Sequence, residues 1–395
     1  MKIVMLGHKR IPSREGGVEI VVEELAVRMA QQGHNITVYN RKGHHVSGAE
    51  NDSLPEKQNE VYKGVKIKTV FTLPNKSLNA IVYSFFAALR ACVSGADVVH
   101  FHAEGPCSMI PLVKVSGRRC VATIHGLDWQ RAKWGGFATR FLLFGEKMAA
   151  KYADEIIVLS KSVQEYFKTT YNRDTVFIPN GIEKPVRKKA DEITSVYGLK
   201  EDEYLLFLAR LVPEKGAHTL IEAYKNSNVS IPLVIAGGSS HSGDYEQEIK
   251  ELAEAVNEDE ASKKTGKKII LTGFIQGNRL EELYSNALVY ILPSEIEGMP
   301  LSLLEALSYG NLCLTSDIEE NTSVTGSKGF SFKSRDAQSL KEELENLVLQ
   351  TNNLRLNGFS REEISGEILK RFNWDEVVRA TLECYENVSK KSFKG

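Results

Sequence analysis

No apolar run in this 395-residue chain approaches the roughly 20 residues that a membrane-spanning helix needs. The longest uncharged apolar stretch, 77–89, is shorter, and its spacing (Leu78, Ile81, Val82, Phe85, Phe86, Leu89) is helical. A core helix fits that spacing, and so does a surface that touches lipid or a lipid-linked substrate. The opening MKIVMLGHKR returns to polar residues after a short apolar run, unlike a signal peptide. Cysteine is sparse: Cys92, Cys107, Cys120, Cys313 and Cys384 are odd in number and show no metal-type or redox-type spacing. That fits a reducing cytoplasm. Also missing are GxGxxG, a Walker loop and an Asp-x-Asp after a strand, so neither a dinucleotide nor an ATP fingerprint is present.

What is present is a soluble composition, 42% hydrophobic and 26% charged, over a length that suggests two domains. Net charge is only −1 but unevenly spread. Residues 1–180 hold 24 Lys and Arg against 16 Asp and Glu, a net of +8; the remainder holds 26 against 35, a net of −9. Basic clusters at 41–45, 113–119 and 131–140 fit an anionic partner or an ordinary solvated surface. No reader motif accompanies them, which speaks against nucleic acid.

Along the chain, short β-rich runs alternate with helical ones. KIVMLG, NITVYN, VKIKTV, DVVHFH, CVATIHG, EIIVLS and TVFIPNG read as strands of a first, mainly parallel sheet. YLLFLAR, PLVIAGG, KIILTGF, ALVYILPS and NLCLTSD repeat the logic. The expected fold class is therefore α/β, with two doubly wound, Rossmann-like domains. The boundary is expected in IPNGIEKPVRKKADE, giving domains 1–180 and 181–372. A final helix, 373–390 with Asn373 as N-cap, is expected to pack back onto the first domain.

Four segments can carry chemistry. In SEIEGMPLSLLEALSYG (294–310), a turn through Gly298 leads to a helix expected from about Pro300. The amides of Met299 to Leu301 then form an anion site, with Glu297 before the helix and Glu305 on its inner face. A carboxylate at 305 must find hydroxyls or amides, such as a ribose offers. In LARLVPEKGAHTLIEAY (208–224), Arg210 ends a strand and Lys215 sits in the following loop. Two cations at the carboxyl end of a sheet suit a diphosphate, or form a solvated pair. Gly16 and Gly17 precede a helix and permit close approach to an anion. His125 ends a strand, as a donor to a substrate oxygen or as a structural residue, and His100 and His102 share a strand face as crevice or core residues.

The spacing of Glu297 and Glu305, together with ARLVPEKG, PNGIE, GFI at 273–275 and GGVE, resembles the retaining nucleotide-sugar glycosyltransferases of family four. The likeness runs over nearly the whole chain and implies the GT-B fold, two Rossmann-like domains facing an interdomain crevice. It implies Arg210 and Lys215 on the donor pyrophosphate, Glu305 on the ribose and Glu297 near the donor sugar. It further implies sugar and phosphate contacts from Met299, Pro300 and Leu301, Ile275 against the base, Gly16 and Gly17 near the diphosphate, and His125 on the transferred sugar. No metal is expected, the donor being a UDP- or dTDP-sugar whose charge the protein's cations neutralise. The segment 7–26 resembles enzymes of capsule, exopolysaccharide or wall-polymer assembly, rhamnosyl-transferring ones included. The expected acceptor is a saccharide, lipid-linked, met by a cytoplasmic protein at the inner face of an anionic membrane, with Arg131, Lys133, Trp134 and Arg140 near the entrance. A GT-B epimerase and a non-catalytic sugar-nucleotide sensor remain as alternatives.

Overall fold

The computed structural model describes residues 1–14, 16–43, 60–74, 78–130, 136–238 and 243–390. The chain divides into two compact units, one formed by Met1–Gly181 with Asn373–Gly395, the other by Ile182–Phe372.

The first unit is built on β1 (Lys2–Leu6), β2 (Asn35–Arg41), β3 (Glu60–Tyr62), β4 (Val65–Val70), β5 (Val98–His102), β6 (Arg119–Ile124), β7 (Glu155–Val158) and β8 (Val176–Phe177). Their order is β3-β4-β2-β1-β5-β6-β7-β8, parallel throughout except for β3 against β4. β1 and β5 are entirely or almost entirely buried, as strands covered on both faces must be. β3 was not apparent in the sequence; it is one arm of a hairpin turning at Lys63 and Gly64, both at positive φ. The chain winds outward from β1 to β4, then returns to the other side of β1 at β5, so the switch point lies between β1 and β5.

Helix Gly17–Gln31 ends ahead of Gly33, whose φ of +86° suits a glycine stop. Helix Trp374–Lys390 begins where the Asn373 side chain accepts from the Asp375 N–H at 2.7 Å, and it packs on Gly17–Gln31 and β6. Helix Asn79–Cys92 departs from the core-helix expectation. Its inner face is Tyr83, Ser84, Ala87, Ala88 and Ala91, while Leu78, Phe85, Phe86 and Leu89 lie exposed. The alanines bring this helix close to its neighbours, and the large apolar side chains are left on the outside.

The second unit carries β9 (Leu205–Leu208), β10 (Leu233–Ala236), β11 (Ile269–Gly273), β12 (Val289–Leu292), β13 (Leu312–Ser316) and β14 (Gly329–Phe332). The order is β11-β10-β9-β12-β13-β14, all parallel. The switch point falls between β9 and β12. The loops that leave these two strands are the ones holding Arg210, Lys215 and Glu297.

Candidate active site

In the second unit, the chain leaves β9 through Arg210 and makes a single tight turn, Pro213–Lys215, before helix Ala217–Asn226. Gly216 joins turn to helix at φ +70°, and a Cβ there would lie 2.3 Å from the Pro293 carbonyl oxygen. Only glycine permits that approach. The Glu295 N–H donates to the Glu214 carbonyl at 2.9 Å, so the loops after β9 and β12 lie side by side. The result is a direct ion pair between Lys215 Nζ and Glu297 Oε1, with side chains only 15% and 7% exposed. The two residues stand 82 positions apart. In the free protein the lysine is thus matched by a carboxylate.

The next helix is Leu301–Ser308, and Pro300 occupies its N-cap in an extended conformation instead of the first helical position. Proline has no N–H, so the outward-directed donors of the first turn belong to residues 301–303. Met299 is half-buried and Pro300 buried. Glu305 is half-buried, and its Oε2 accepts from the Tyr284 hydroxyl at 3.0 Å. Tyr284 stacks on Tyr309 with centroids 5.4 Å apart and planes at 12°. Burial first, and then the charge of Glu305, push the Tyr284 phenol well above its ordinary value, so it remains a donor. The sequence reading required a polar partner for Glu305 but could not name Tyr284. Ile275 follows β11 and is half-buried beside the exposed Phe274.

In the first unit, Gly16 is the extended N-cap of Gly17–Gln31. A Cβ at Gly16 would meet the Glu19 carboxylate at 2.1 Å, and Glu19 Oε1 accepts from the Lys9 N–H at 2.8 Å. This buried first-turn carboxylate lies where the helix dipole favours negative charge. His125 follows β6, half-buried, and its Nε2 stands 3.1 Å from Nδ1 of His102. His100 and His102 are fully buried. Each is a hydrogen-bonding core residue: His100 meets the hydroxyls of Tyr385 at 2.6 Å and Thr123 at 2.7 Å.

Two buried acids that the sequence did not single out lie by the loop after His125, and one of them holds Trp129. Glu146 accepts from Trp129 Nε1 at 3.1 Å, Tyr166 at 2.8 Å and Tyr171 at 2.5 Å. Glu104, also fully buried, has its carboxyl pushed up to about 10, by burial first, then by the charge of Asp128 and the neighbouring Glu146. It is a neutral acid at neutral pH. Arg140 is exposed, whereas Arg131, Lys133 and Trp134 lie outside the described residues.

Two cations and a carboxylate on the loops that leave β9 and β12, with a helix N-terminus and a second carboxylate just beyond, are groups suited to an anionic, hydroxyl-bearing ligand. The two-unit α/β fold is GT-B. Sucrose-phosphate synthase from Thermosynechococcus elongatus matches it with a TM-score of 0.80 at 18% identity, covering 98% of each chain. Anabaena HepE in complex with UDP-glucose matches with a TM-score of 0.76 at 16% identity, covering 99% of this chain and all of that one. Residues 15–184 match Glycosyltransferase Family 4 and residues 189–358 match Glycosyl transferases group 1, and the chain is a glycosyltransferase of these families. Among curated relatives, an Escherichia coli UDP-Gal:alpha-D-GlcNAc-diphosphoundecaprenol alpha-1,3-galactosyltransferase is 27% identical, covering 73% of this chain and 75% of that protein.

Proposed function

We propose that the protein is a retaining, metal-independent transferase moving a hexose or deoxyhexose from a UDP- or dTDP-sugar to a saccharide acceptor in surface-polysaccharide synthesis. The carrying observation is the meeting of the β9 and β12 loops, which join Lys215 to Glu297 beside Arg210 and the helix N-terminus in sequence. Departure of the nucleoside diphosphate builds negative charge, and Arg210, Lys215 and the amides of 301–303 stabilise it. The C1–O bond to the diphosphate breaks as the bond to the acceptor oxygen forms on the same face. The acceptor proton passes to the departing phosphate oxygen. Glu305 holds ribose hydroxyls, Ile275 meets the base and Glu297 orients the sugar. On the first unit, Gly17 admits the diphosphate and His125 contacts the transferred sugar. Thermal-shift screening of UDP- and dTDP-sugars, rhamnosyl donors included, followed by mass spectrometry with a lipid diphosphate-linked acceptor, tests the reading. Turnover without acceptor would mark an epimerase, and binding without turnover a sensor.

A lipid-linked acceptor is supported by the acceptor in the galactosyltransferase's name and by one surface of the first unit. Phe71, Leu78, Phe85, Phe86 and Leu89 are all 40% or more exposed, and Phe86 sits edge-on to both Phe71 and Phe85. Helix Asn79–Cys92 has no acidic residue, and Lys66, Lys68 and Arg90 are exposed nearby. Apolar side chains rimmed by cations suit the interface of an anionic bilayer. None of the described helices is long and apolar enough to cross a membrane, so contact would be peripheral. Co-sedimentation with phosphatidylglycerol vesicles should exceed that with phosphatidylcholine and fall in Phe85→Ser/Phe86→Ser. Equal recovery of both proteins with both lipids would remove the membrane contact and leave the transferase reading standing.

A further inference from the structure

Four of the chain's nine histidines stand at the carboxyl ends of β1, β5 and β6, around the switch point of the first sheet. Gly7 makes the arrangement possible: at φ +115° it lies so near β5 that a Cβ would be 2.1 Å from the His102 carbonyl oxygen. His8 is buried next, with Nε2 3.0 Å from Asn40 Oδ1. Because Asn40 Oδ1 also accepts from the Ile11 N–H, and Asn40 Nδ2 donates to the Ile11 carbonyl, that oxygen is an acceptor and His8 carries its proton on Nε2. The bare Nδ1 of His8 finds no partner among the described residues.

His102 lies between His100 and His125, with ring centroids 4.1 Å and 5.4 Å away. Its Nδ1 faces His125 Nε2 at 3.1 Å, and its Nε2 is buried without a partner among the described residues. Burial first, then the neighbouring His100, His125 and His8, hold the His102 ring well below the ordinary imidazole value, so it is neutral. A neutral ring carries one proton, and there are two places to put it. On Nε2 it would be a buried N–H with nothing to donate to; on Nδ1 it leaves only a bare lone pair there. Orphaned buried N–H groups are the rarer and costlier of the two.

We infer that His102 is a positioning residue for His125: it donates from Nδ1–H to His125 Nε2, fixing that ring in one orientation with its own proton on Nδ1. This rests on the proposed contact between His125 and the transferred sugar. Its consequence is chemical. With its Nε2 lone pair taken by His102, His125 does not act as a general base, and any bond it makes to a substrate oxygen is as a donor. The acceptor proton must go elsewhere, in agreement with its passage to the departing phosphate.

The test uses the whole protein labelled with ¹⁵N-histidine, its ring signals assigned with His125→Ala and His102→Ala. The wild type should give one His125 tautomer, protonated at Nδ1 and bare at Nε2. His102→Ala should convert that signal to a mixture of tautomers. His102→Asn, whose amide can take the place of the Nδ1–H donor, should restore it. A wild-type His125 protonated at Nε2, or a His125 signal untouched in a folded His102→Ala, overturns the inference. Addition of UDP-glucose separates the two claims: a His125 signal locked but unmoved by that donor keeps the positioning role and removes the sugar contact for glucose.

Discussion

Replacing Lys215 with alanine removes one member of an ion pair whose side chains are 15% and 7% exposed. The Glu297 carboxylate is then left in a mostly dry site with its cation gone. Breaking a buried pair by removing one partner costs about 3–5 kcal/mol, and the remaining exposure of Lys215 favours the lower figure. For a unit the size of Ile182–Phe372, a loss of about 3 kcal/mol lowers the transition temperature by about 6–12 °C. Adding Glu297→Gln to Lys215→Ala withdraws the stranded charge, so most of that loss should return. Transfer should not return, because the diphosphate still lacks its cation. Glu297→Gln alone should tighten UDP binding, since Lys215 is freed from its carboxylate, while slowing transfer. Differential scanning fluorimetry, UDP titration calorimetry and a transfer assay on the three variants complete a double-mutant cycle. A Lys215→Ala protein as stable as wild type, or a double variant no more stable than the single, would refute the coupling.

Arg210→Ala should lower kcat by about 10²–10³, as loss of a preorganised transition-state donor does; near-normal turnover would remove Arg210 from the site. Glu305→Ala should weaken UDP binding more than it slows transfer at saturation. Tyr284→Phe, which deletes only the hydroxyl holding Glu305, should weaken UDP binding less, and equal effects in calorimetry would contradict that ranking. The Glu104 carboxyl is raised from 4.5 to about 10 by burial first, so the folded chain keeps a proton that the unfolded chain releases. The stability it contributes is whole below about pH 4.5 and is lost as pH climbs towards 10. Glu104→Gln should therefore gain on the order of 3 kcal/mol over wild type between pH 5 and pH 7 in urea unfolding; a gap that stays constant with pH refutes a neutral Glu104. Transfer should persist in EDTA; abolition with full recovery on adding Mg²⁺ or Mn²⁺ would reverse that expectation.

The chain's own pattern was enough for the strands that matter. Buried parallel strands are continuous apolar runs, so Val98–His102 or Val289–Leu292 can be read from composition alone. The Asn373 cap and the Gly33 stop are equally local, each set by one residue's chemistry. β3 and β14 escaped because one is three residues of a hairpin and the other begins with glycine, too short for a period to register. The large apolar residues of Asn79–Cys92 left two readings open for a different reason. Period names an apolar face but not which side meets the sheet, and here Ala87, Ala88 and Ala91 took that side. The site divides the same way. Residue types and spacing pointed to Arg210, Lys215, Glu297, Glu305 and His125, because strand-end loops carry ligand-binding groups in open α/β sheets. Which side chain meets which was decided by tertiary structure. Lys215 finds Glu297 across 82 residues, Tyr284 finds Glu305 across 21, and His102 finds His125 across 23. Those pairings depend on strand order and register, and on close approaches that Gly216 and Gly7 allow. No local periodicity encodes them, since each requires two elements distant in sequence to be neighbours before a hydrogen bond can form.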